Sequence, residues 1–300
     1  MHSKLFEINI PFLDKPFVIH AYGAMLAFGL LCAVIFAVRR AKKQGIPASV
    51  IHDVSLYAVI LGIIGARIHY VIRFMLNEPH RFLDYFAFWQ GGLVFQGGFI
   101  LAFIGTVVYL KSKKVSVGKV ADCFAPGLAI GYVFARIGCF MNGCCFGAIA
   151  REGFPWAVTF PEGSPAYDYQ MIPDKFAEIK NIAEGIGYEF VSPNSLPFPE
   201  HPVQIYSSIA MLAVFATILF IERLKLRYDG MLFIVFVMLY SVQRFIVEFW
   251  RMDTTRYDWS GGLNSAQFLS IAMFIVTLII GIWLRRLKPS SDDYDLTKDK

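Results

Sequence analysis

The first long apolar run of the chain covers residues 17–38 and reads FVIHAYGAMLAFGLLCAVIFAV. It contains no Asp, Glu, Lys or Arg, and a basic cluster that includes Arg39 and Arg40 follows it directly. A helix of about 20 apolar residues is long enough to cross the hydrocarbon core of a bilayer. This run therefore predicts a transmembrane helix with a charged end.

Six further apolar runs follow, and the seven together predict an all-α polytopic membrane protein. The composition agrees, because 56% of the residues are hydrophobic and 17% are charged, whereas a soluble domain carries about 25% charged residues. The net charge of +5 comes from short clusters beside the runs, so we expect no nucleic-acid partner. The predicted spans are residues 17–38, 54–76, 91–110, 120–141, 203–221, 231–249 and 263–284.

The basic residues predict how the spans are oriented. Lys and Arg collect after the first, third, fifth and seventh runs, and the positive-inside rule makes those connections cytoplasmic. The N-terminus is then outside and the C-terminus inside. Residues 1–16 lack the basic start and the cleavage site of a signal peptide, so we expect the first run to stay in the mature protein.

The connection between the fourth and fifth runs differs from the others. Residues 148–200 are rich in Pro, Gly, Asp and Glu and contain no long apolar run, which predicts an external domain or lid. We expect one membrane domain over residues 1–289 that includes this insertion. Residues 290–300 have the composition of a disordered cytoplasmic tail.

Several polar residues lie within the runs, where an ionised side chain costs roughly 3 kcal/mol at the helix centre. Because they fall at similar depth, we predict that they line one cationic cavity toward the outer leaflet. Arg binds phosphate bidentately, so a phospholipid headgroup is the expected anion. An alternative is that Arg244 and Glu248, four residues apart, form a purely structural pair. The predicted lining residues are His20, Tyr22, Arg67, His69, Arg73, Gln96, Arg136, His201, Arg244 and Glu248, with snorkelling to the interface as the alternative for Arg73 and ordinary packing as the alternative for His69.

Two glycine-rich stretches stand out, GGLVFQGG at residues 91–98 and ARIGCFMNGCCFG at residues 135–147. Glycine at this density permits close backbone approach and positive φ. Irregular backbone at membrane depth is tolerated where protein buries it or a cavity adjoins it. Both stretches are therefore expected to line the site, with tight helix packing through small residues as the alternative.

At these stretches the chain resembles the prolipoprotein diacylglyceryl transferases. Arg136, Gly138, Phe140, Asn142 and Gly147 fall in register with the signature of that family, and the stretch at 91–98 matches a second motif. The order and spacing of the motifs make the set specific. Further matches are Ala21-Tyr22-Gly23, the segment from His201 to Tyr206, and Tyr240, Arg244, Phe245, Glu248, Phe249 and Arg251.

The resemblance implies an activity in the bacterial inner membrane, with the active site toward the periplasmic leaflet. The family transfers the diacylglyceryl group of phosphatidylglycerol to the lipobox cysteine in the signal peptide of a preprolipoprotein, and releases glycerol phosphate. It implies that Arg136 holds the lipid phosphate and that Arg244 assists it or the leaving group. The predicted catalytic residues are Arg136, Arg244, Gln96, Glu248 and His201, and the predicted substrate-binding residues are Arg136, Tyr22, Asn142, Gly147, Gly97, Gly98 and Arg67.

Three positions depart from the family pattern. Gln96 stands where the family commonly has His, Cys139 where the signature has Asn, and Cys144 where it has Glu. Gln cannot act as a general base. Either the Arg groups lower the pKa of the substrate thiol enough to make a base dispensable, or the chain is a divergent relative with altered chemistry.

Cys139, Cys144 and Cys145 form a local cluster in the sequence. Their spacing fits no standard zinc pattern, so the sequence predicts no metal and no cofactor. A redox disulfide, a metal site and a covalent acceptor remain alternatives to inert substitution. Two other functions also remain open: a lipid or anion transporter, and a relative that binds lipid or lipoprotein precursors without catalysis.

Overall fold

The computed structural model describes residues 4–8, 17–75, 82–86, 92–189, 196–224, 228–252, 256–257 and 262–287. Within these residues the chain is an all-α polytopic membrane protein. Each of the seven apolar runs folds as a helix, which confirms the predicted fold class. Six helices are long and apolar enough to span a bilayer, whereas the apolar helix Gln96–Ser112 is shorter. The tail at residues 290–300 and Gly91 lie outside the described residues, and the predicted orientation stays a prediction.

The elements follow one another in a simple order. A hairpin precedes the first helix, two short helices lie between the fourth and fifth apolar helices, and a small strand pair precedes the last. They are β1 (Lys4–Ile8), β2 (Phe17–His20), α1 (Ala21–Lys43), α2 (Ala48–Tyr70, continued by a π-helical turn Val71–Met75), a 3-10 turn (Phe82–Phe86), α3 (Phe95–Ser112), α4 (Val117–Asn142), α5 (Pro165–Gln170), a 3-10 turn (Pro173–Lys175), α6 (Phe176–Gly185), α7 (Val203–Glu222), α8 (Met231–Val247, continued by a 3-10 turn Glu248–Trp250), β3 (Arg256–Tyr257), β4 (Leu263–Asn264) and α9 (Ser265–Leu287).

The chain forms two compact units, one of residues 1–33 with 125–300 and the other of residues 34–124. The first unit contains the end of α4 together with α7, α8 and α9. Its core is apolar and closely packed, and glycines let helices approach: a Cβ on Gly29 would lie 2.8 Å from the carbonyl oxygen of Gly131. The buried core residues are Ala125, Ala129, Val133, Met211, Val214, Ile218 and Leu232.

The insertion at residues 148–200 has a fold of its own within the first unit. Ile149, Ile179, Ala183 and Phe198 form a buried cluster that joins α6 to the segments at both ends of the insertion. Ile149 and Val158 each form a backbone bridge with Glu200. The insertion therefore closes on itself just before α7 begins. Its location outside the membrane stays a prediction.

The second unit is built on the antiparallel contact between α2 and α3. The helices touch through glycines, because a Cβ on Gly97 would lie 2.4 Å from the carbonyl oxygen of Gly65, and one on Gly98 would lie 2.6 Å from that of Gly62. Small residues permit such close approach in membrane helices. The structure thus supports the packing interpretation of this glycine stretch.

Candidate active site

The turn after α4 brings three cysteines together. Gly143 ends the helix with φ +68°, and Cys145 takes φ +57°, a region that L-residues other than Gly seldom adopt. As a result the Sγ atoms of Cys139, Cys144 and Cys145 all lie within 4.8 Å of one another, and in the described part of the chain they form the one such group of potential metal ligands. Sequence spacing did not predict this convergence.

Cationic side chains border the cysteine cluster. Hydrogen bonds from the Cys139 and Cys144 thiols lower the pKa of the Cys145 thiol, and the charges of Arg251 and Arg136 lower it further. A thiolate rather than a thiol is the nucleophile and metal ligand. The charges of Arg136 and Arg251 therefore favour a thiolate within the cluster.

Arg136 extends from the last turns of α4 over an aromatic face. Its Cζ lies 4.9 Å from the ring centroid of Tyr132, one helical turn earlier. That ring makes an edge contact with Tyr240 of α8, with centroids 5.5 Å apart. Tyr132 therefore stabilises the Arg136 guanidinium through a cation–π contact and connects it to α8.

Arg244 is held by a carboxylate on its own helix. Its Nη2 lies 3.0 Å from Oε2 of Glu248, which is fully buried. The other oxygen, Oε1, accepts a hydrogen bond from Nδ2 of Asn264 at 3.1 Å. Both carboxylate oxygens are thus engaged, and Arg244 and Glu248 form the ion pair that the sequence also predicted, as the alternative to substrate-facing roles.

Arg136 and Arg244 share one environment although they come from different helices. The hydroxyl of Tyr240 is within electrostatic range of both guanidinium groups and of Glu248. Tyr240, Arg244 and Glu248 follow one another at intervals of four residues and lie on one face of α8. Tyr240 thus links the surroundings of the two arginines in the first unit, while the predicted binding of one lipid phosphate between them stays a prediction.

Tyr22, at the start of α1, packs against Gly138 near the end of α4. A Cβ on Gly138 would lie 3.2 Å from Cα of Tyr22, so a larger residue there would have to push Tyr22 slightly away. Tyr22 is also within electrostatic range of the three cysteines and of Arg136. Asn142, another predicted binding residue, hydrogen-bonds with the thiol of Cys144.

His201 and Gly147 meet where the segments before α7 and after α4 run side by side. The N–H of His201 donates to the carbonyl oxygen of Ala148 at 2.9 Å, and a Cβ on Gly147 would lie 2.2 Å from the carbonyl oxygen of His201. The Nδ1 of His201 lies 3.1 Å from Oη of Tyr206. Burial lowers the pKa of His201, which favours the neutral imidazole.

The remaining predicted residues belong to the second unit. Arg67 donates to backbone carbonyls, with Nε 3.0 Å from the oxygen of Tyr85, Nη1 3.2 Å from that of Gly92, and Nη2 close to that of Asp84. Gln96 is exposed. Gly97 lines an apolar groove of about 380 Å³. Arg67 thus organises the connection between α2 and α3, while its predicted contact with substrate stays a prediction.

Comparison with known proteins identifies the family. The model of the prolipoprotein diacylglyceryl transferase family matches residues 10–283. The chain belongs to the prolipoprotein diacylglyceryl transferase family. Three similar bacterial proteins each bear the name phosphatidylglycerol–prolipoprotein diacylglyceryl transferase. The Citrobacter koseri protein is 31% identical, and the match covers 96% of this chain and 97% of the relative. The Salmonella arizonae protein is 33% identical, with 91% of this chain and 92% of the relative covered. The Clostridium tetani protein is 32% identical, with 89% of this chain and 92% of the relative covered.

The family membership confirms the resemblance drawn from the motifs. The site also contains residues that the motifs did not predict. Tyr132, Asn264 and Gln267 support the two arginines of this transferase-family member. One signal was available: Asn264 and Gln267 lie at the start of the seventh apolar run at the spacing of a capping box. Gln267 Oε1 accepts from the N–H of Asn264 at 3.1 Å, and Asn264 Oδ1 accepts from that of Gln267 at 3.0 Å. Tyr132 lies four residues before Arg136, a spacing that places both on one helix face, but its contact with Tyr240 depends on how α8 packs.

Proposed function

We propose that the protein transfers the diacylglyceryl group of phosphatidylglycerol to the lipobox cysteine thiol of a preprolipoprotein, forming a thioether and releasing glycerol phosphate. One observation carries the proposal for this chain. Arg136 lies over Tyr132, with 4.9 Å from Cζ to the ring centroid, and that ring contacts Tyr240, one helical turn before Arg244, with centroids 5.5 Å apart. Two guanidinium groups in one partly buried environment suit a phosphodiester, because Arg stays charged there and pairs with phosphate oxygens.

The proposed reaction is a displacement at carbon. The substrate thiolate attacks the glyceryl carbon that carries the phosphate ester, so a C–S bond forms and the C–O bond breaks. The electron pair leaves with the phosphate oxygen, and the thiol proton passes to a base or to water. Arg136 binds the phosphate, and Arg244 stabilises the charge that develops on the leaving group. Preorganised cations of this kind contribute to rate because they need no rearrangement during the reaction.

The other polar residues have supporting roles in this proposal. Glu248 positions Arg244, because Arg244 and Asn264 engage both of its oxygens. His201 is a neutral imidazole beside the turn that carries Gly147 and is the candidate proton acceptor among the described residues of the first unit. Gln96 cannot take that role. Tyr22 and Asn142 border the acceptor side, near the cysteine turn.

The proposal also sets the protein in the bacterial inner membrane, with the site toward the periplasmic leaflet. Basic residues follow alternate spans, which supports an external N-terminus and a cytoplasmic C-terminus. The membrane transferase domain then covers residues 1–289, and the insertion at 148–200 lies on the periplasmic side, where the signal peptide of a precursor is accessible.

The test uses purified protein in detergent, phosphatidylglycerol and a lipobox peptide, with product detected by mass. Wild type is expected to form the thioether adduct, and a peptide with Ser in place of the lipobox Cys to form none. Arg136→Ala and Arg244→Ala each lower kcat/KM by about 100-fold or more, the scale measured for a lost charge-stabilising donor. Arg285→Ala, an exposed residue near the end of α9, is the matched control.

Two outcomes would contradict the proposal in different ways. Normal adduct formation by both arginine variants would remove the roles of Arg136 and Arg244. Retained peptide binding without any adduct in wild type would instead favour a binding protein without catalysis, the alternative that Gln96, Cys139 and Cys144 raise through their departure from the family pattern.

A further inference from the structure

We propose that Cys139, Cys144 and Cys145 form a Zn²⁺ site with three thiolate ligands, whose open fourth position binds the thiol of the acceptor peptide. The metal site stands on the geometry of the turn after α4. The role of its fourth position rests on the proposed function.

The separation of the sulfur atoms suits one ion. All three Sγ atoms lie within 4.8 Å of one another. Zn–S bonds of about 2.3 Å in tetrahedral geometry separate the sulfurs by about 3.8 Å. The proposed site therefore requires the longest separation to shorten by up to about 1 Å when the ion binds. Thiolates are also the ligands that soft and borderline cations prefer.

The backbone of the turn is shaped to point the three side chains at one place. Cys139 is in the last turn of α4, and the N–H of Cys144 donates to its carbonyl oxygen at 3.1 Å. Gly143 and Cys145 both take positive φ. For Cys145 this conformation costs about 1–2 kcal/mol, and such strain is found where a local geometry serves a function.

Neighbouring elements hold the turn in place. Gln204, at the start of α7, is fully buried, and its Nε2 donates to the carbonyl oxygen of Cys144 at 2.9 Å. The N–H of Ala166 in α5 donates to the carbonyl oxygen of Gly143 at 3.0 Å. A site with little freedom to rearrange binds an ion without a large ordering cost.

The surroundings match the charge of the site. One Zn²⁺ with three thiolates carries a net charge of −1. The guanidinium groups of Arg136 and Arg251 interact electrostatically with Cys145, and Asn142 hydrogen-bonds with Cys144. Outer partners of this kind orient metal ligands. Arg136 therefore borders both the metal site and the proposed phosphate site.

The number of ligands indicates what the site does. Closed structural zinc sites use four protein ligands, whereas catalytic sites use three and leave one position open. A thiol that coordinates zinc is bound as the thiolate. The lipobox sulfur in the fourth position is then held as a nucleophile beside Arg136. The step needs no oxidant, because the sulfur forms its C–S bond as the phosphate ester leaves.

The first experiment measures metal binding alone. Purified protein is stripped with a chelator under reducing conditions and titrated with Co²⁺ and then with Zn²⁺. We expect one ion per chain, a thiolate-to-cobalt charge-transfer band, and its loss on zinc addition. Cys144→Ser and Cys145→Ser should weaken binding by about 100-fold or more, beyond the effect of an outer-shell change. Cys32→Ser, in α1, is the matched control and should bind as wild type does.

The second experiment tests the open position without the lipid substrate. A lipobox peptide added to the cobalt-loaded protein should raise the charge-transfer intensity by about one third, as three thiolates become four, and the Ser peptide should leave it unchanged. Absence of bound metal, equal loss in Cys32→Ser, or a disulfide among the three cysteines in the metal-binding preparation would overturn the site.

Activity separates this inference from the proposed function. Equal adduct formation by metal-free and zinc-loaded wild type would overturn the role of the metal and leave the transferase standing. Metal binding with the expected spectrum but no adduct from phosphatidylglycerol would overturn the proposed function and leave the three-thiolate site. Adduct formation that is lost on chelation and restored by Zn²⁺ is the expected result.

Discussion

Asn264 caps the N-terminus of α9 and at the same time donates its side-chain amide to Glu248 Oε1 at 3.1 Å. Its Oδ1 accepts from the N–H of Gln267, so one side chain satisfies the helix end and the buried carboxylate together. Because the other oxygen of Glu248 is bound to Arg244, the start of α9 fixes a cation that belongs to α8.

Replacing Asn264 therefore affects both stability and the site. Asn264→Ala removes a helix cap, at about 1 kcal/mol, and leaves a buried acceptor with one fewer donor, at about 1–3 kcal/mol more. We expect a lower thermal midpoint in detergent and a lower kcat. Ser270→Ala is the control, because its hydroxyl donates within α9, to the carbonyl oxygen of Ala266. Equal effects of the two substitutions would contradict the link to Glu248.

Gly147 tolerates no side chain at its position. A Cβ there would lie 2.2 Å from the carbonyl oxygen of His201, so Gly147→Ala must push apart the segments that follow α4 and precede α7. Overpacking of this kind costs about 1–3 kcal/mol. Gly185→Ala, whose Cβ would meet nothing within 4 Å, should leave the thermal midpoint nearly unchanged. A Gly147→Ala variant as stable as Gly185→Ala would show that this contact relaxes freely.

His201 makes stability depend on pH. Burial lowers its pKa in the folded protein below the ordinary value of about 6.5 that it has when unfolded, so the unfolded state binds the proton more readily. Stability is therefore complete above about pH 6.5 and falls as the pH drops toward the lowered native pKa. Thermal unfolding measured across this range should show a shallower pH dependence for His201→Gln than for wild type. Identical slopes would exclude His201 as the group responsible.

Arg67 is expected to act through the backbone of the connection between α2 and α3. Lys offers a single ammonium in place of the guanidinium fork and cannot reach the carbonyl oxygens of Asp84, Tyr85 and Gly92 together. Arg67→Lys should lower the thermal midpoint more than Arg73→Lys, whose guanidinium lies over the ring of Phe74. A raised KM for phosphatidylglycerol with unchanged stability would instead support substrate binding.

The sequence by itself determined the helices and the family. Hydropathy summed over about 20 residues is a local property, and backbone groups in lipid must be satisfied within the segment, so each apolar run could be assigned without knowledge of its neighbours. The interval of four between Arg244 and Glu248 likewise predicted a pair on one helix face, because helical geometry alone brings such residues together.

Tertiary structure decided which polar side chains meet. Arg67 and Arg136 are both arginines within apolar runs, yet one donates to carbonyls of its own connection and the other lies over Tyr132 near Tyr240. The convergence of Cys139, Cys144 and Cys145 depends on two residues at positive φ and on the hydrogen bond from Gln204. These contacts are set by backbone conformation, by how helices pack and by where side chains point, and residue type and spacing specify none of the three.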